Sequence, residues 1–91
     1  MNYGFIFIGE KFEQDLDTKT FKMKVVGVES PGDAIEIARE MASSDIHLIE
    51  LCGDFGPVWT GKIIESIDHA VPVGAVTYGC ESAEAYTRLT S

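Results

Sequence analysis

The chain has 91 residues, 45% hydrophobic and 24% charged, with fifteen acids against seven bases for a net charge of −8. That length leaves room for one core, so residues 1–91 are read as a single α/β domain. The composition excludes disorder, and the negative field argues against nucleic acid or an anionic membrane as partner.

Phe5-Ile6-Phe7-Ile8 follows the first residues with no basic segment before it. The run is far shorter than the roughly 20 residues a membrane helix needs, so neither a secretory leader nor a membrane span is expected. Two cysteines, Cys52 and Cys80, are too few for a disulfide framework, and a cytoplasmic setting is expected.

Tyr3 to Ile8 is apolar on both faces and reads as a first, buried strand. Glu10 to Lys22 is polar, with Phe12, Leu16 and Phe21 scattered through it, and reads as a loop or a single helical turn. Met23 to Val28 is a β-branched run, the second strand. Ser30-Pro31-Gly32-Asp33 carries helix-start chemistry: a capping serine, a proline at the first position and an acid at the positive end of the dipole. Ala34, Ile35, Ala38, Met41 and Ala42 continue at helical spacing to Ser43-Ser44.

His47 to Cys52 is the third strand, and Gly53-Asp54-Phe55-Gly56-Pro57 a tight turn into a second helix. The apolar stripe of that helix is Trp59, Ile63, Ile64 and Ile67. Val71 to Tyr78 is the fourth strand, and Ser82 to Leu89 suits a short C-terminal helix. The expected architecture is α/β: a mainly parallel four-stranded sheet with two crossover helices, open or half-barrel-like, plus that last helix. Parallel neighbours joined by right-handed crossovers put both helices on one face if the last three strands lie side by side. The other face then needs a cover: the Glu10–Lys22 segment, the C-terminal tail or, the favoured answer, a second subunit. A reversed strand order would instead put the helices on opposite faces.

Polar groups gather at the C-terminal ends of strands three and four, the edge where parallel α/β sheets bind ligands. They are Glu50, Cys52, Asp54, Thr77, Tyr78, Cys80 and Glu81, with Phe55 beside them. Glu50 stands out because it interrupts Leu48-Ile49-Glu50-Leu51. Alternation puts Ile49 and Leu51 on one face and Leu48, Glu50 and Cys52 on the other. A carboxylate buried there without a partner would have a raised pKa and could act as a general acid or base. The competing reading is a structural carboxylate paired with Lys24 or a backbone amide.

The amides of the Gly53–Pro57 turn could receive an anion, or Asp54 could cap them itself. A thiol pair from Cys52 and Cys80 and a divalent-ion site from Glu50, Asp54 and Glu81 are weaker readings, and no motif demands a metal or cofactor. The expectation is a small polar metabolite bound near a subunit interface, with Glu50 as candidate catalytic group. Cys52, Asp54, Phe55, Thr77, Tyr78, Cys80 and Glu81 are candidate ligand-binding residues. The alternative is a homo-oligomeric structural or interaction module without chemistry.

Two stretches, Leu48-Ile49-Glu50-Leu51-Cys52-Gly53-Asp54-Phe55-Gly56-Pro57 and Val71-Pro72-Val73-Gly74-Ala75-Val76-Thr77-Tyr78-Gly79, resemble a family of small bacterial proteins of unknown function. Phe5-Ile6-Phe7 and Val25-Val26-Gly27-Val28-Glu29-Ser30-Pro31 extend the resemblance over most of the chain, and it implies no activity. The Leu48–Leu51 strand with its turn, and Val71–Gly74 before Thr77-Tyr78, also look like adjacent strands of the tryptophan synthase alpha-subunit family. The matching glutamate there is catalytic and would correspond to Glu50. This chain lacks the Ser-Asp-Pro after the phenylalanine and is too short for an eight-stranded barrel, so the likeness implies geometry and not the reaction.

Overall fold

The structure, a computed structural model, describes residues 1–91. Strand β1 (Asn2–Ile8) is followed by β2 (Phe12–Asp17), β3 (Lys22–Val28), α1 (Ala34–Ala42), β4 (Leu48–Leu51), α2 (Gly56–Ser66), β5 (Val73–Ala75) and α3 (Ala83–Thr90). Short 3-10 turns at Pro31–Asp33 and Gly53–Phe55 lead into α1 and α2. The five strands form one sheet in the order β2-β3-β1-β4-β5, parallel throughout except for antiparallel β2. Its two ends are free, so the sheet is open and not closed into a barrel. No helix is long and apolar enough to cross a membrane.

The sheet has five strands, not the four read from sequence. Glu10–Lys22 is neither loop nor helical turn: it supplies β2, paired with β3 from Phe12 opposite Gly27 to Asp17 opposite Lys22. The period-2 pattern was present, with Phe12 and Leu16 on one side of the strand and Glu13, Asp15 and Asp17 on the other. Three charges in six residues masked it, and they suit an exposed edge strand, where charge deters pairing with another chain. Thr18 closes the hairpin: its N–H donates to the Phe21 carbonyl at 2.8 Å, and its hydroxyl oxygen accepts from Phe21 N–H at 3.1 Å.

Strand order also differs from the side-by-side expectation, because β1 lies between β3 and β4. A strand apolar on both sides belongs at the centre, where neighbours satisfy both of its edges. The consequence for the helices is unchanged. The connection carrying α1 passes over β1, that carrying α2 runs on to β5 in the same direction, and α1 and α2 pack against each other.

One face holds the core. Ile6, Val26, Val28, Ile49 and Leu51 point from the sheet at Ala34, Ala38 and Met41 of α1 and Ile63 of α2, with Phe55 and Ile67 at the ends of α2. Each large aliphatic buried there contributes about 1.5–3 kcal/mol. Trp59 packs on the margin of this core, as its helical spacing with Ile63 requires.

Three local details depart from expectation. Ser30 makes no capping bond; its hydroxyl donates to Asp33 Oδ2 at 3.0 Å. The last strand stops at Ala75, and the chain leaves the sheet after Val76 N–H donates to the Leu51 carbonyl at 2.9 Å. Cys52, placed by alternation with Glu50, lies past the end of β4 and packs against the core instead.

Two glycines sit where the backbone is closely approached. A Cβ on Gly4 would lie 2.5 Å from Met41 Sδ, the far end of a flexible side chain. A Cβ on Gly27 would run into the Glu10 carbonyl oxygen and the Phe7 ring, and a backbone carbonyl cannot swing aside. Overpacking costs typically ~1–3 kcal/mol. Thermal melts should therefore rank wild type above Gly4→Ala, and Gly4→Ala above Gly27→Ala; the reverse order of the two variants would contradict this packing.

Candidate functional site

The predicted site residues separate into two places. The first is the C-terminal edge of the sheet. Where β4 ends, the Cys52 N–H still donates to the Ile6 carbonyl at 3.0 Å, and its half-buried Sγ accepts the Ile8 N–H at 3.4 Å. The chain then turns through Gly53–Phe55 into α2. Asp54 is exposed and makes no capping bond at either helical start, so the self-capped reading of the turn does not hold.

A groove of about 460 Å³ lies between this turn and α3, lined by Cys52, Asp54, Tyr78, Ser82 and Tyr86 among others. A second, wider groove of about 760 Å³ runs between α2, the segment after β5 and α3, and includes Thr77. Tyr78 and Tyr86 border both; their rings meet edge to face with centroids 4.8 Å apart. This contact anchors an α3 that buries none of its own residues.

Phe55 is 2% exposed, part of the core, and lines neither groove. Cys80 and Glu81 are exposed in the turn before α3 and also line neither. Both cysteines are free thiols. No three of the histidine, cysteine, aspartate and glutamate side chains converge as a metal site would require.

The second place is the sheet face opposite the helices, where Glu50 stands. Its strand is covered on one side only, so Glu50 is exposed and not buried as expected. In register it faces Phe5 of β1 on one side and Gly74 of β5 on the other. Tyr3, Phe5 and Phe7 of β1 run down the middle of this face, beside Met23 and Val25 of β3. The rings connect: Tyr3 to Phe21 at 5.1 Å, Phe5 to Phe7 at 6.5 Å and Phe7 to Phe12 at 6.0 Å. Among the strand residues of this face, Glu50 is the only charge.

This continuous aromatic face was the part that residue-by-residue reading missed. Its signal is the alternation of Tyr3, Phe5 and Phe7, together with Phe12 and Leu16 in a segment whose charges suggest a loop or a helical turn.

Lys24 cannot be the partner of Glu50. It is level with Gly4, which is level with Ile49, so it shares the helix face. There its Nζ lies 3.1 Å from Glu13 and 3.7 Å from Asp15. The hydrogen bond to Glu13, helped by the charge of Asp15, holds the ammonium above the ordinary lysine value of 10.5. A cavity of about 340 Å³ beside this cluster lies between β2, β3 and α1 and carries mixed charge.

A family model matches residues 1–91. The chain belongs to the family of unknown function DUF6506. No curated protein and no solved structure matches it. Membership covers the whole chain, in agreement with the expected uncharacterised family, and brings no activity with it.

The Lys24 cluster gives a signed pH prediction for this DUF6506 chain. A pKa raised in the folded state means that the stabilisation is complete below about 10.5 and is lost as pH rises through the folded value. The pair is solvent-screened, so Lys24→Gln should cost less than about 1 kcal/mol at neutral pH. Melting temperatures taken across the alkaline range should fall more steeply for wild type than for the variant. Parallel curves would contradict the assignment.

Proposed function

We propose that the chain binds a small polar metabolite in the groove between the C-terminal edge of the sheet and α3, and does so as a homo-oligomer. The observation that carries this reading is the groove itself. It gathers a thiol (Cys52), a carboxylate (Asp54) and two phenols (Tyr78 and Tyr86), at the edge where parallel sheets present their loops. Asp54 at its rim and a net charge of −8 favour a ligand bearing hydroxyl or amine groups over a large anion. Thr77, in the adjoining groove, is a further candidate contact. Two free thiols fit a reducing, cytoplasmic setting.

Acid–base work at Glu50 would need the carboxylate taken out of water, which in this fold requires a covering surface. The second reading, a homo-oligomeric module without chemistry, is favoured by the half-buried aromatic sheet face that neither α1 nor α2 covers. Under it Glu50 fixes the register of the subunits.

A thermal-shift panel of hydroxyl- and amine-bearing metabolites tests the groove. A ligand at a hundred times its dissociation constant adds about 2.7 kcal/mol, and each kcal/mol moves a domain of this size by about 4–8 °C. The expected result is a rise of that order for at least one compound, lost in Asp54→Asn or Tyr78→Phe. A rise that survives both substitutions, or none across the panel, counts against the groove as the site.

A further inference from the structure

We propose that the outer edge of β5 takes up an uncharged, extended peptide segment as a sixth strand, seated in the wider groove between that edge, α2 and α3. This goes beyond the metabolite reading and does not depend on it.

The edge carries the hydrogen-bonding groups that a strand needs. Parallel strands bond each neighbour through alternate residues. On β5 the Pro72 carbonyl accepts the Ile49 N–H at 2.9 Å, and the Val76 N–H donates to the Leu51 carbonyl at 2.9 Å. Pro72, Gly74 and Val76 are thus the residues turned to β4. Val73 and Ala75 present N–H and C=O to the other side, where β5 ends the sheet. No turn or loop bond reaches these four groups.

The two free edges of the sheet are not alike. Strand β2 carries Glu13, Asp15 and Asp17 within six residues, which deters pairing there. From Ala70 to Cys80, the stretch that contains β5, there is no charged residue. An incoming segment is opposed at one edge and admitted at the other.

The groove beside β5 suits such a segment. Its volume is about 760 Å³, and none of its lining residues is charged although the molecule carries −8. Gly56, Pro57, Thr60, Gly61 and Ile64 form the α2 wall. Gly56 to Ile64 spans roughly 12 Å of helix, the length of about four extended residues. Thr60 turns its hydroxyl back to the Gly56 carbonyl at 2.7 Å, so its proton does not compete for the peptide backbone. Gly61 faces open space: a Cβ there would meet nothing within 4 Å, which leaves room for a side chain of the added strand. A charged side chain entering here would lose water and find no counter-charge, so the occupant is uncharged. Ala75 belongs to both the edge and the groove and joins them.

Amide-resolved NMR titration with the blocked peptide acetyl-Thr-Val-Thr-Val-Thr-amide tests the edge. The Val73 and Ala75 amide resonances should shift, and their exchange with water should slow. The same peptide N-methylated at every residue, and so without strand donors, should bind at least about tenfold more weakly to the intact protein. Ala75→Pro removes an outward N–H from an edge strand without breaking the ladder to β4. Gly61→Leu fills the open space on α2. Each should raise the dissociation constant by a similar factor, while Val58→Lys, exposed on α2 outside the groove, leaves it unchanged. Far-UV circular dichroism checks that each variant is folded. No binding at millimolar peptide would overturn the proposal. Binding indifferent to N-methylation would overturn it too, because the groove would then hold an uncharged ligand without strand pairing.

Discussion

Both crossovers of this sheet run the same way, and most of the structure follows from that. The connection from β3 to β4 and the one from β4 to β5 lay α1 and α2 side by side on one face. Ile6, Ile49, Leu51 and Ile63 then share a single core with the small residues Ala34 and Ala38, which let α1 lie close to the strands. The same constraint leaves the other face, lined with rings, without either of these helices over it.

That division separates the chemistry into two independent neighbourhoods. At the C-terminal edge, the end of β4 and the turn into α2 bring Cys52 and Asp54 against Tyr78, with α3 as the far wall. On the bare face, Glu50 stands alone between Phe5 and Gly74. The two places share strand β4 and no lining residue. Substitutions in the groove and on the face therefore test the two proposed roles separately.

Much of the fold was legible in the sequence because its strongest signals are local. The apolar β1, the β-branched β3 and the helical spacing of Ala34, Ala38 and Met41 each specify an element. Glu50 was placed on the uncovered face by alternation alone, and the structure has it there. Strand β2 was illegible because edge exposure favours charge, and charge reads as loop. The central position of β1 was illegible because partner choice depends on non-local pairing that no spacing encodes. The grouping of Glu50 with Cys52 and Asp54 failed for a geometric reason. Alternation holds only inside a strand, and the strand ends at Leu51. Phe55 was drawn toward the site by its neighbours in sequence, while the turn aims it into the core.

The proposed homo-oligomer implies that the aromatic face is covered in solution. Solvent paramagnetic relaxation on the ring resonances, read with a soluble spin label, tests it most directly. Phe55, buried in the core, and Tyr78, 62% exposed, give the internal limits. The rings of Phe5, Phe7 and Phe12 should be protected nearly as well as that of Phe55 at concentrations where the protein is associated. Broadening of those rings as strong as that of Tyr78 would mean that the face meets water, and would contradict the claim.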